Sequence, residues 1–233
     1  MRSLCVIPAR GGSKRIPRKN IREFAGKPII AWSIEAARQA ECFERIIIST
    51  DDAEIAEVAQ RYGAEVPFLR PKELADDLTG TIPVVVHALK EIEESDGPYD
   101  AVCCIYATAP FIRLQDLITG KQQIADGWSF AFPATEFSAP ISRSFRKLPD
   151  GGVEMFFPEH FQTRSQDLET AYHDAGQFYW GRADAWKSST ALFGLESAVI
   201  EIPRRLAQDI DTKEDWFIAE HMFQTKLVWE EQQ

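Results

Sequence analysis

Apolar and polar positions along this 233-residue chain follow two alternating patterns. Apolar runs at 4–8 and 101–106 and the Ile- and Phe-rich segments 45–50 and 129–132 read as strands, the first buried in a parallel sheet. Between them the apolar residues recur every three or four positions, the spacing of a helix with one face on a core. Ile30, Ile34 and Ala37 mark such a helix over 28–40, with Pro28 suited to its first turn. A second runs over 54–62, capped by Asp51 or Asp52 and ended by Gly63. Residues 64–68 predict a short third strand. Val85, Leu89 and Ile92 mark a helix over 82–94, and another spans 114–125. The last helix, 212–229, carries Trp216, Ala219, Phe223 and Leu227 on one face.

This alternation predicts an α/β protein: a three-layer sandwich around a mostly parallel mixed sheet. The pattern breaks at 134, where Pro140, Pro149, the Gly151-Gly152 pair and Pro158 crowd a stretch with short strands near Phe145 and over 153–157. Residues 148–153 have the composition of a hairpin turn. We therefore divide the chain into an α/β part, 1–133, an inserted arm, 134–175, and a return to the core, 176–233, with strands at 176–181 and 198–202.

The net charge of −10 disfavours a nucleic-acid surface. Yet Arg10, Lys14, Arg15, Arg18, Lys19 and Arg22 form a basic island near the N-terminus, which points to a local anion site. The cysteines Cys5, Cys42, Cys103 and Cys104 have no metal-ligand spacing and read as buried, reduced thiols of a cytoplasmic protein. No apolar run reaches the ~20 residues of a membrane span.

Three regions could carry chemistry. Residues 9–20 follow the first strand at the carboxyl edge of the sheet, where open α/β sheets bind ligands. There Gly11 and Gly12 could turn their N–H groups toward one anion, and Arg10, Lys14 and Lys19 could neutralise it. The plainer reading is a solvated basic loop. Asp209 and Asp211 flank Ile210, and in extended backbone residues two apart face the same way, which suits Mg²⁺. For Asp211 the spacing leaves a helix cap equally open, with Glu214 as its box partner; capping does not account for Asp209. The third region holds Arg164, Gln166, Tyr172, His173, Asp174, Gln177 and Tyr179, polar and aromatic groups fit to read a sugar acid, though each alone also suits a surface loop. His87, His160 and His221 have no metal-ligand spacing, and Trp32, Trp180, Trp216 and Trp229 read as core residues.

With these residues in hand, the chain resembles the acylneuraminate cytidylyltransferase family. The resemblance rests on the run from Ile7-Pro8-Ala9-Arg10-Gly11-Gly12-Ser13-Lys14 through Lys19-Asn20, on Ser49-Thr50-Asp51, on Leu69-Arg70-Pro71 with Glu73-Leu74-Ala75 and Asp77, and on Asp209-Ile210-Asp211-Thr212, all in family order. Two departures point away from neuraminate as substrate: Tyr106 in Ile105-Tyr106-Ala107-Thr108-Ala109-Pro110, and Asp174-Ala175-Gly176 in place of an Asn-Gly pair. With Cys103-Cys104, the run from Arg164 to Glu169 and the run from Tyr172 to Gln177, they resemble the pseudaminate-using branch.

The resemblance implies a nucleotide-diphospho-sugar transferase-like fold, CTP and a nonulosonic acid as substrates, Mg²⁺ on Asp209 and Asp211, a homodimer, and a role in bacterial surface or flagellar glycosylation. It gives Arg10, Lys14, Lys19, Asp209 and Asp211 catalytic roles. Ala9, Gly11, Gly12, Ser13, Asn20, Arg70, Asp77 and Thr108 would hold the nucleotide. Tyr106, Arg164, Gln166, Tyr172, His173, Asp174, Gln177 and Tyr179 would contact the sugar, and the arm would serve dimerisation. Legionaminate or neuraminate as the sugar, and a non-catalytic nucleotide binder, remain the alternatives.

Overall fold

The structure, a computed structural model, describes residues 1–188 and 190–231, with side chains as far as Thr225. The side chains of Leu227 and Trp229, expected on the last helix, lie outside the described residues. In chain order the elements are β1 (Ser3–Pro8), β2 (Glu23–Phe24), β3 (Lys27–Pro28), α1 (Ile29–Gln39), β4 (Arg45–Ser49), α2 (Ala53–Arg61), α3 (Thr81–Asp96), β5 (Ala101–Ile105), α4 (Leu114–Ala125), β6 (Phe130–Glu136), β7 (Phe145–Lys147), β8 (Val153–Met155), β9 (Tyr172–Asp174), β10 (Phe178–Arg182), α5 (Ala183–Lys187), β11 (Ser197–Glu201) and α6 (Lys213–Glu231).

The main sheet has the order β11-β6-β10-β5-β1-β4, with β9 added beside β6. β1 lies parallel to both β4 and β5, and β11 parallel to β6, while β10 runs antiparallel between β5 and β6. The mixed sheet arises because β10 enters between two strands of the opposite direction. Alternation along β1 sorts the core into two layers. Cys5 and Ile7 pack with Ile30, Ile34, Leu117 and Phe223 from α1, α4 and α6. Leu4 and Val6 pack with Val85, Leu89 and Trp186 from α3 and α5. Cys103 and Cys104 fall on opposite faces of β5 and, like Cys5 and Cys42, are buried and free. Among the described residues no helix is long and apolar enough to cross a membrane.

Three local expectations change. The segment 64–68 makes a single bridge, Ile47 to Glu65, instead of a strand. Pro67 has no N–H to extend the ladder. β6 continues to Glu136, past the expected end at 132. Pro133 is accepted there because it sits where the antiparallel partner changes from β10, paired at Phe130 and Ala131, to β9, paired from Ala134. At the last helix, Thr212 and not Asp211 is the cap. The Thr212 hydroxyl accepts from the Asp215 N–H at 3.1 Å, and the Asp215 carboxylate accepts from the Thr212 N–H at 2.7 Å.

Between β6 and β9 the chain leaves the sheet, and β7 and β8 pair as a hairpin. Its turn needs Gly151, whose φ of +91° is disfavoured for residues with a side chain. Phe145, Val153, Phe156 and Phe161 of this arm are all more than half exposed.

The edge strand β4 is tied to the end of α3 by charge. Asp96 accepts from Arg45 at 2.7 Å, Ser95 at 2.7 Å and Tyr99 at 3.1 Å. Hydrogen bonding, first from Arg45 and then from Ser95, pulls its carboxyl from the ordinary 3.8 down to about 2. A depressed carboxyl stabilises the fold fully above its unfolded value and loses that contribution as pH falls through the folded one. Asp96→Asn therefore lowers the melting temperature near neutral pH, and the gap from the native protein narrows as pH drops from about 4 toward 2. Thermal melts by circular dichroism across that range test this; a gap independent of pH would contradict it.

Candidate active site

The site is built on the segment after β1. The Ala9 N–H donates to the Ser49 carbonyl at 2.9 Å, which lays the start of the segment against the end of β4. The Gly11 N–H donates to Asp51 Oδ1 at 2.9 Å, and a Cβ on Gly11 would stand 2.6 Å from Asp52 Oδ2. Glycine is needed here for close approach. Neither Gly11 nor Gly12 adopts a positive φ, and a Cβ on Gly12 would meet nothing within 4 Å. In this structure the Gly11 donor, expected to aim at an anion, is committed to Asp51. Asn20, almost fully buried, braces the segment by donating Nδ2 to the Arg10 carbonyl at 2.9 Å.

The basic island divides. Arg18, in the left-handed region at φ 56°, turns back to clamp Asp52 at 2.5 and 3.0 Å and also meets Glu54. That clamp holds the Asp52 carboxyl below its ordinary range, while Asp52 also caps α2 through the Ile55 N–H. Arg22 lays its guanidinium over Trp216 at 4.9 Å. Arg10, Lys14, Arg15 and Lys19 remain, and all four line one cleft of about 480 Å³ with Ser13, Asn20, Arg70, Asp77, Tyr106, Thr108 and Asp211. Ala9, Gly11 and Gly12 do not border it.

Acids from two distant segments meet these cations. Asp77 receives Arg10 at 2.6 Å and Lys14 at 2.5 Å. Asp211 receives Arg15 at 2.9 Å and Lys19 at 3.4 Å, and Lys19 also donates to the Ile210 carbonyl at 2.8 Å. Ile210 is buried, so Asp209 and Asp211 flank a core side chain. Asp209 lies beside Gly176, its carboxyl raised first by burial and then by the charge of Asp211. The donor chemistry suits Mg²⁺, a hard cation that takes its remaining ligands from water and phosphate oxygens; Asp211 lines the cleft and Asp209 does not. Among the described residues no group of three or more acidic, His or Cys side chains is placed to hold a metal. Arg70 is buried against Ser49, donating to its hydroxyl at 3.0 Å and to its carbonyl, and burial lowers its guanidinium to about 10.

A second, more apolar chamber of about 590 Å³ adjoins the cleft, and Tyr106 and Thr81 border both. The Tyr106 and Thr81 hydroxyls are 3.1 Å apart. On the far side the Tyr179 hydroxyl donates to Asp174, and Ile82, Pro83, Leu192 and Phe193 supply apolar wall. Burial, and then Tyr106, raise the Tyr179 phenol far above its ordinary value.

Of the expected sugar contacts, Tyr106, Asp174 and Tyr179 thus come together. The others border neither cavity. Arg164 pairs with Asp167 at 2.7 Å, and Gln166 is exposed on the arm. Tyr172 donates to Glu136 and Glu201, and His173 packs on Phe137 at 4.8 Å. Gln177 is a buried brace, donating to the Leu206 carbonyl at 2.6 Å. Thr81, Leu192 and Phe193 escaped the sequence reading. A Thr-Gly-Thr start to an apolar helix was the available signal for the first; the other two lie in an irregular stretch with none.

Residues 4–140 match the family model described as Cytidylyltransferase. The chain belongs to the cytidylyltransferase family. It is therefore a nucleotidyltransferase. It is 46% identical over 96% of its length to the pseudaminic acid cytidylyltransferase of Campylobacter jejuni strain 81-176, covering 97% of that protein. It is 44% identical, with the same coverages, to the CMP-N,N'-diacetyllegionaminic acid synthase of Legionella pneumophila strain Philadelphia 1. The fold is shared with a CMP:2-keto-3-deoxy-manno-octonic acid synthetase solved in complex with CTP, at a TM-score of 0.71 and 18% identity over 97% of this chain and 100% of that one.

In this cytidylyltransferase the Gly11 and Gly12 positions should respond differently to one added methyl group. Gly11→Ala drives a Cβ into Asp52, displaces the segment and weakens CTP binding by about tenfold or more, since overpacking costs ~1–3 kcal/mol. Gly12→Ala leaves binding within about twofold. Calorimetry of CTP binding to the two variants decides it; equal effects would refute the steric account.

Proposed function

We propose that this cytidylyltransferase joins CTP to pseudaminic acid, giving the CMP-sugar and pyrophosphate for bacterial surface or flagellar glycosylation. The observation that carries the reading is the meeting of Arg10, Lys14, Arg15 and Lys19 with Asp211 around one cleft. A cleft with that charge is suited to a triphosphate. The 46% identity to a pseudaminic acid cytidylyltransferase favours that sugar, with legionaminate second at 44%.

In the proposed reaction the sugar's anomeric hydroxyl oxygen bonds to the α-phosphorus. The bond from that phosphorus to the bridging oxygen breaks, pyrophosphate leaves with the electron pair, and the hydroxyl proton is released. Charge accumulates on phosphate oxygens, so the protein acts chiefly by neutralising and positioning. Arg10, Lys14 and Lys19 offset the charge of the leaving pyrophosphate, Ser13 and Asn20 line the cleft beside them, and Arg70 stiffens its floor. The chamber behind Tyr106 takes the sugar, with Asp174 and Tyr179 facing its polar groups and Leu192 and Phe193 its apolar ones. Asp209 and Asp211 would hold Mg²⁺, which when bound screens phosphate charge and makes the α-phosphorus more electrophilic.

Lys14→Ala and Asp211→Ala should each cut turnover by about a hundredfold or more, on the scale of losing one electrostatic stabiliser. Pyrophosphate release at equal folded content by circular dichroism measures this, and near-native rates in either variant would contradict the assignment. The same assay with pseudaminic, legionaminic and neuraminic acids ranks the sugars; a faster rate on either of the latter two would displace pseudaminate.

We further infer a cytoplasmic homodimer in which the arm residues 134–175 meet a second copy. The exposed Phe145, Val153, Phe156 and Phe161 support this, because scattered apolar exposure is ordinary whereas four such residues on one short arm favour burial against a partner. Sedimentation velocity should give twice the 26.4 kDa chain mass, and a monomer at micromolar concentration would dismiss the inference.

A further inference from the structure

Asp77 is an anion among the cations of the cleft. It joins Arg10 at 2.6 Å and Lys14 at 2.5 Å, one oxygen to each, so a single carboxylate spans both side chains. Arg10 also donates to the Asp76 carbonyl at 2.9 Å. The turn carrying Asp77 is internally fixed: the Asp76 carboxylate accepts from the Leu78 and Thr79 N–H groups at 3.0 and 2.6 Å, and the Thr79 hydroxyl donates to the Glu73 carbonyl. It leads directly to Gly80 and Thr81, which border both cavities. A carboxylate cannot accept a hydrogen bond from a phosphate oxygen that is itself ionised, so Asp77 is ill suited to touch a triphosphate directly, although the resemblance placed it among the nucleotide contacts. Its contacts do suit another role.

We propose that Asp77 is a positioning residue that acts as an exchangeable counter-anion: it holds Arg10 and Lys14 in the cleft and yields both to an incoming polyphosphate. This deepens, and rests on, the reading of the cleft as a CTP site. Both pairs are open to water, with Lys14 79%, Asp77 46% and Arg10 36% exposed, and such bonds are weak and readily exchanged. A polyphosphate offers several charged oxygens to the same two donors and outcompetes one carboxylate. A single phosphate group offers fewer, so the exchange favours CTP over a nucleotide monophosphate. When pyrophosphate departs, Asp77 recovers its partners, and the CMP-bearing product loses the competition for them.

The test is calorimetric binding of sodium tripolyphosphate, CTP and CMP to the native protein, Asp77→Asn and Asp77→Glu, at two salt concentrations. Removing the competing charge should tighten tripolyphosphate and CTP binding to Asp77→Asn by about three- to thirtyfold, on the scale of two exposed ion pairs. CMP should change by less than about threefold, and Asp77→Glu, which keeps the charge, should stay near the native protein. The gain should shrink at high salt as the pairs are screened. Tightening is a readout that structural damage does not produce. Unchanged or weaker polyphosphate binding to Asp77→Asn would overturn the proposal, as would an equal gain for CMP. Failure of the native protein to bind CTP while Asp77→Asn still gains on tripolyphosphate would instead strike the CTP reading and leave the counter-anion standing.

Discussion

Four cationic side chains from one short segment repel one another, and they converge on a cleft only if acids elsewhere compensate them. In this protein the compensation has two parts. Asp77 and Asp211 face the cations themselves, Asp77 taking Arg10 and Lys14, Asp211 taking Arg15 and Lys19. Asp51, Asp52 and Glu54 instead hold the segment that carries them, through the Gly11 N–H and the Arg18 guanidinium. The first set leaves the cations available to a stronger anion. The second fixes where they stand. Exposure marks the contrast most clearly between Lys14 with Asp77, which stand open to water, and Arg18 with Asp52, which are more covered, and a covered pair is harder to exchange.

The same division explains Asp211. A capping carboxylate would spend its oxygens on the N–H groups of α6. Because Thr212 and Asp215 satisfy that helix end reciprocally, Asp211 keeps its side chain for the cleft. Ile210, buried between the two acids, pins the segment to the core, so the first and last parts of the cytidylyltransferase meet without a long loop between them.

Tyr106 divides the charged cleft from the apolar chamber, and its hydroxyl and ring are shared between Thr81 on one side and Tyr179 on the other. A charged wall and an apolar wall, to which the proposed reaction assigns phosphate and sugar, thus lie one aromatic ring apart. That closeness is what joining two such substrates requires.

Much of the fold was legible in the sequence, because a strand's two-residue alternation and a helix's three-to-four-residue spacing are local properties. The strands and helices at 4–8, 45–50, 101–106 and 114–125 needed no knowledge of their neighbours. Where the reading failed, a neighbour decided. Pro133 sits inside a strand because the adjacent partner changes there, and Pro67 leaves one bridge where a strand was expected. In the site, the sequence by itself determined which residue types could neutralise a polyphosphate and that two acids flank a core isoleucine. Only the tertiary structure decided that Arg18 and Arg22 leave the island, that Gly11 packs against Asp52 and donates to Asp51, and that Gln177 braces a loop. Each of those outcomes depends on a partner distant in sequence, and the choice among partners is made by the packing that brings the elements together, which no local spacing records.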